Sequence, residues 1–170
     1  MTKYYYLVSS LPYLRWGREL AVTTGFFLGE CAKWLTPEDM KILRSADAKC
    51  HEGRCEDTAV LKEWKEFDLR LRTKLSEIRE AKKQGEEYAA GDLLKIVMEK
   101  ENPLLREQAL AKIKLAFIEA QSTGYYFDIN WLVLYFLRMQ ILERLAAFDK
   151  DKGEEIFYHL CEVAYEQAER

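Results

Sequence analysis

Two stretches of this chain hold residue types that could do chemistry. The first is Cys50-His51-Glu52-Gly53-Arg54-Cys55, where thiols and an imidazole flank a glycine. Cysteine sulfur and histidine nitrogen suit zinc, but a structural site takes four such ligands, normally as two close pairs. The other candidates, His159 and Cys161, stand far downstream on a helical pattern, so the loop reads as polar with incidental thiols. His159 and Cys161 are also the second stretch. At i,i+2 spacing they point to different faces of a helix, which does not build a nucleophile and its base. A di-iron bundle needs Glu-x-x-His pairs, yet Ala48 precedes His51 by three and Ile156 precedes His159 by three. No Gly-x-Gly-x-x-Gly, phosphate loop or Gly-x-Ser-x-Gly occurs. The acidic pairs Glu86-Glu87 and Glu154-Glu155 read as solvated helix starts. The expectation is therefore a protein that is not an enzyme, with no catalytic residue, cofactor site or metal ligand.

More informative are Arg138, Gln140 and Arg144, because they interrupt an apolar helix. Residues 128–149 run apolar or aromatic without a break from Trp131 to Leu137, then narrow to a stripe of Ile141, Leu142, Leu145 and Phe148. A helix apolar on all sides is normally enclosed by others. The pattern predicts a central helix, enclosed over its first half and emerging over its second. Two readings of its polar residues stand side by side. They are snorkelling side chains paired with Glu143 or Asp149, or a polar patch that docks a partner, where arginine and aromatics carry binding energy.

The elements that position this helix are legible in the remaining sequence. With 170 residues the chain suits one domain, 1–170, with or without a small N-terminal lobe, 1–57. Apolar content of 49% with 32% charge is that of a globular protein, and eight Gly with three Pro leave long helices room to form. A net charge of −3 from well-mixed signs offers no basic face for nucleic acid. The longest apolar run is seven residues, well short of the roughly 20 that span a bilayer. No signal peptide is recognised at residues 1–11, so the expected location is cytoplasmic, with reduced cysteines and no direct membrane insertion.

Residues 3–11, rich in tyrosine, read as either a strand or a helical turn. Thr24 is placed to cap a short helix, 26–35, and Thr36-Pro37-Glu38-Asp39 starts another that buries Met40 and Leu43. From Thr58 to Gln84, Leu61, Trp64, Leu71, Leu75 and Ile78 recur at three- and four-residue steps. This long amphipathic helix, 58–84, would extend about 40 Å, with Asp68 where an apolar residue is due. Next come a helix over 86–101 with Tyr88, Leu93, Leu94, Val97 and Met98 inward, and one from Asn102-Pro103 to about Ser122. The latter is expected to use Leu105, Ala109, Ile113, Ala116 and Ala120 as its packing face. A last helix presents Phe157, Leu160, Cys161, Ala164 and Ala168. The fold class is all-α, an irregular bundle of about six or seven helices.

Several motifs together resemble a known family. They are Tyr4-Tyr5-Tyr6-Leu7-Val8-Ser9-Ser10-Leu11-Pro12, the stretch from Phe27 to Leu43, Asn102-Pro103-Leu104, and Leu137-Arg138-Met139-Gln140-Ile141-Leu142-Glu143-Arg144 followed by Phe148-Asp149-Lys150 and Gly153. The chain resembles a bacterial family of unassigned function encoded beside V-type (A/V-type) ATP synthase genes, similar to a reduced form of the C-type subunit of that machine. Ile113-Lys114-Leu115 and the Cys50 to Cys55 loop depart from its pattern. The resemblance implies a non-catalytic structural or coupling role between rotor ring and central shaft, without a cofactor. Its partners would be those ATP synthase subunits, and the protein would sit at the inner membrane through them. Tyr4 and Tyr5 of the opening motif, with Arg138, Gln140 and Arg144, are the expected partner-binding residues. The alternative is a free-standing helical adaptor or homodimeric coiled coil built on the 58–84 helix.

Overall fold

Five helix starts in the computed structural model coincide with side chains that cap them. The structure describes residues 3–18, 20–46, 58–85, 92–149 and 153–161, with backbone alone at 92, 93, 95 and 96. Among these, α1 is Tyr5–Ser10, α2 Thr24–Trp34, α3 Pro37–Ser45, α4 Ala59–Gln84, α5 Asp92–Glu99, α6 Pro103–Ser122 and α7 Ile129–Ala146. A further helical segment, α8, covers 153–161. The protein is all-helical and bundle-like, and no strand occurs among the described residues. Residues 3–11, ambiguous in sequence, are helical over α1. The Cys50 to Cys55 loop and Tyr88 lie outside the described residues, as do Ala164 and Ala168.

Thr36 accepts from Asp39 N–H, Thr58 from Leu61 N–H, Asn102 from Leu104 N–H and Asp128 from Trp131 N–H. Each cap satisfies an otherwise unpaired first-turn donor, worth about 1 kcal/mol. Helix α2 is capped one residue earlier than the spacing suggested, by Thr23 accepting from Phe26 N–H. Thr24 is instead the first helical residue, for a tertiary reason. The Glu143 carboxylate of α7 accepts from Thr24 N–H at 2.7 Å and from its hydroxyl at 2.5 Å. A carboxylate at a helix start also meets the positive end of the dipole. Helix α4 ends at Gly85, whose φ of +73° is the left-handed conformation a glycine cap adopts at little cost.

Helix α7 packs against α2, α3, α4 and α6. From Leu132 to Leu137 every residue is buried, while Arg138 and Gln140 are half-buried and Arg144 is exposed. Its polar groups reach the ends of neighbouring elements. Tyr135 Oη donates to Pro12 O at 2.8 Å, and Gln140 Nε2 donates to Ala46 O, just past α3, at 2.8 Å. A large apolar cluster joins Leu7 of α1, Phe27 of α2, Leu43 of α3 and Trp64 of α4 to Ile118 of α6 and Leu137 of α7. A smaller one gathers Leu71, Leu75 and Ile78 of α4 with Leu94 of α5. Phe67 packs on both, its ring stacked at 4.1 Å on Phe117 of α6. The whole stripe of α4 is thus buried within the chain.

Asp68 occupies the stripe position where an apolar residue was due, and it is 1% exposed. Its carboxylate is held by Arg72 Nε at 2.7 Å, one turn on, and by Lys114 Nζ of α6 at 2.6 Å. A buried charge needs such pairing to be tolerable, and the cation on α6 ties the two helices together.

Two packing faces differ from expectation. In α6 the buried residues are Ala111 and Ile118, whereas Leu105, Ala116 and Ala120 are exposed. Apolar residues lie all around this helix, so its own periodicity selects no face, and the positions of α4 and α7 decide. In α8, Phe157 and Leu160 are each 63% exposed, with Ile156 and Tyr158 similar, because no described element covers them.

Candidate partner-docking surface

The residues expected to meet a partner fall into three places. Tyr4 is buried, its N–H bonded to Phe127 O at 2.9 Å and its hydroxyl donating to the Asp39 carboxylate. Phe127 adopts a φ of +56°, which is uncommon for a bulky residue. Lys3 Nζ reaches the same Asp39 oxygen at 2.8 Å. Burial alone would raise the Asp39 carboxyl, but hydrogen bonds from Lys3, Tyr4 and Thr36 outweigh it and hold it below its ordinary range. The same Asp39 contact, followed by Tyr4, raises the Lys3 ammonium. Tyr4 therefore joins α1 to α3.

Tyr5, by contrast, is half exposed, its ring 4.8 Å from Phe127 and edge-on to Tyr6 at 5.7 Å. Tyr6 is 75% exposed and stacks on Trp34 of α2 at 6.5 Å, which is itself exposed. The opening tyrosine motif thus has one ring inside and two outside. Phe26, 59% exposed, belongs to α2 as Trp34 does.

Gln140 and Arg144 come together, lining a cleft of about 230 Å³ between α4, α6 and α7. Leu71, Leu75 and Ile141 form its apolar walls. Arg144 Nη2 pairs with Glu107 of α6 at 2.9 Å, while Glu143 is engaged in capping α2. An exposed pair of this kind contributes about 0–1 kcal/mol.

Arg138 stands elsewhere. Its guanidinium lies 5.4 Å from the centre of the Tyr13 ring, and its Nε is buried without an acceptor. With Tyr13 it borders a cleft of about 350 Å³ walled by Leu11, Pro12, Trp131 and Leu134. Tyr135 lines the same cleft, and burial pushes its hydroxyl up to about 12. Tyr6, Tyr13, Trp16 and Trp34 were missed by sequence reasoning. The available signal was Tyr13-Leu14-Arg15-Trp16, aromatics interleaved with a cation in a stretch with no helical period.

Residues 85–165 match the family model described as "Protein of unknown function (DUF2764)". The matched part contains α5 to α8, and so Arg138, Gln140 and Arg144, but neither α1 nor the Tyr13 stretch. No curated protein and no solved structure matches the chain. No described helix is long and apolar enough to cross a membrane.

Proposed function

We propose that this protein is a non-catalytic docking component, and that its partners belong to a V-type ATP synthase. In that role it is similar to the C-type central-stalk component linking rotor ring and shaft. The observation that carries the docking part is the exposed aromatic face of α1 and α2, where Tyr6 stacks on Trp34 beside Tyr5. Large rings held rigidly at a surface lose little conformational entropy on binding, and tyrosine and tryptophan are enriched among residues that dominate interfaces. The ATP synthase part rests on the sequence resemblance, whose opening motif supplies two of these three rings. On this reading the protein is cytoplasmic and reaches the membrane only through its partners.

The test is co-purification. Tagged protein recovered under mild detergent is expected to bring rotor-ring or shaft proteins with it. The Tyr6→Ala, Trp34→Ala double variant, which removes only exposed rings, should fold normally and recover at least about tenfold less, the effect of losing 1.4 kcal/mol. Recovery of neither rotor-ring nor shaft proteins by the wild-type chain would refute the ATP synthase assignment.

A further inference from the structure

The surface around Tyr13 carries positive charge that no described carboxylate pairs. Tyr13 is 71% exposed, and two guanidinium groups approach its ring, Arg15 at 5.5 Å and Arg138 at 5.4 Å. Lys112 Nζ of α6 lies 5.6 Å from the ring of neighbouring Trp16. Arg15, Lys112 and Arg138 form no ion pair among the described residues. Glu119 of α6 shares the lining of the 350 Å³ cleft with Arg138 without pairing to it. The buried Nε of Arg138 is also a donor without an acceptor, a state that folded proteins rarely leave uncompensated. Tyr13 and Arg138 line both that apolar cleft and the shallower depression bordered by Arg15 and Trp16. An apolar hole and a cationic rim therefore share one wall.

We infer that this surface receives an acidic segment of a protein partner. Its apolar side chain fills the cleft, and its carboxylates accept from Arg138 and Arg15 and face Lys112. The inference rests on the docking reading above for its class of function, and adds a second surface with a stated partner chemistry. Charge complementarity selects the occupant, because arginine forks match carboxylates and the hydrogen bonds formed are charge-assisted. Exposed aromatics beside cations also suit stacked single-stranded nucleic acid. That occupant would leave the aliphatic part of the cleft, Val8, Leu11, Pro12 and Leu134, unfilled. A segment carrying leucine or phenylalanine between glutamates uses both parts of the site.

The experiment titrates the full-length protein with acetyl-Glu-Glu-Leu-Glu-Phe-Glu-Glu-amide, its all-glutamine counterpart, and a single-stranded oligouridylate. Binding is read from fluorescence anisotropy of the labelled probes. The glutamate peptide is expected to bind at least about tenfold more tightly than the glutamine one, and raising salt should weaken it. Arg138→Gln and Arg15→Glu should each weaken it roughly tenfold, and Tyr13→Ala should weaken it too. Arg15 and Tyr13 are exposed, so those two variants report on binding even if Arg138→Gln disturbs folding. Tyr6→Ala should have no effect. The inference is overturned by no binding of the glutamate peptide, by equal binding of the two peptides, by insensitivity to Arg15→Glu and Tyr13→Ala, or by preferential binding of the oligouridylate. The assay contains no ATP synthase component. Failed co-purification with a positive titration discards the ATP synthase assignment alone, and the reverse discards this surface alone.

Discussion

Replacing Asp68 by alanine tests how the bundle tolerates a charge inside its apolar stripe. The carboxylate is 1% exposed and forms ion pairs with Arg72 and Lys114 at 2.7 and 2.6 Å. Removing the carboxylate from such a pair costs about 1.5–3 kcal/mol where the cation is left buried. The two partners differ in that respect. The Arg72 side chain is 47% exposed and can turn to water, so its loss falls to the about 0–1 kcal/mol of a surface pair. Lys114 is only 22% exposed and its ammonium sits 5.9 Å from the Trp64 ring, so most of its loss remains. The sum predicts that Asp68→Ala costs about 1.5–4 kcal/mol. Chemical denaturation followed by circular dichroism would show a lower midpoint at unchanged slope. The double variant Asp68→Leu, Lys114→Met should recover most of that loss, because apolar side chains of similar volume remove the charges together. If Asp68→Ala costs less than about 1 kcal/mol, or the double variant is no more stable than the single one, the argument that α4 and α6 are tied by a desolvated ion pair is wrong.

Three other outcomes follow from the same structure. Glu143→Gln keeps the shape but loses the charge at the start of α2, so it should cost about 1–2 kcal/mol, with faster amide exchange at Thr24 to Phe27 than elsewhere in α2. Burial pushes the Cys31 thiol, with a smaller push from Glu30, and the Tyr135 hydroxyl each up to about 12. Raised values favour the protonated native state, so their contribution is present below pH 9 and is lost between about pH 9 and 12. Chemical denaturation across that range should show it, and Cys31→Ala with Tyr135→Phe should flatten the decline. Asp39 has the opposite sign. Its lowered value gives stability that is present above the ordinary carboxylate range and is lost as pH falls through the native value. Asp39→Asn should therefore flatten the acid limb of the stability profile, and an unchanged limb would remove Asp39 from it.

Local signals carried the helix inventory well. Thr36-Pro37, Thr58, Asn102-Pro103 and Asp128 mark their helices because a cap is an interaction within a few residues of chain. The stripe of α4 was legible for a similar reason, since a single face of Leu61, Trp64, Leu71, Leu75 and Ile78 can satisfy its period. Where a helix is apolar around its circumference, as α6 is, the same reasoning picks a face arbitrarily. The exposed face of α8 escaped it as well, since apolar residues in a pattern do not say whether anything lies opposite them.

The candidate surfaces divide along the same line. The opening tyrosines and the arginine-bearing end of α7 stood out in sequence, but which rings and cations face outward did not. Tyr4 and Tyr5 are neighbours of one type, yet one is sealed against Asp39 and the other is half exposed against the Phe127 ring. A helical turn carries adjacent residues about 100° apart, and only the position of α3 determines which one is covered. Arg138 and Arg144 lie on one helix, yet the first faces Tyr13 and the second pairs with Glu107. The sequence by itself determined the all-helical class, most of the helix starts and the stripe of α4, because these depend on contacts within a few turns. Only the tertiary structure decided that Asp68 is neutralised by Lys114, that Glu143 caps α2, and that cations gather around Tyr13 without pairing to a described carboxylate. Each of those depends on groups far apart in the chain, and their meeting is set by how the helices pack.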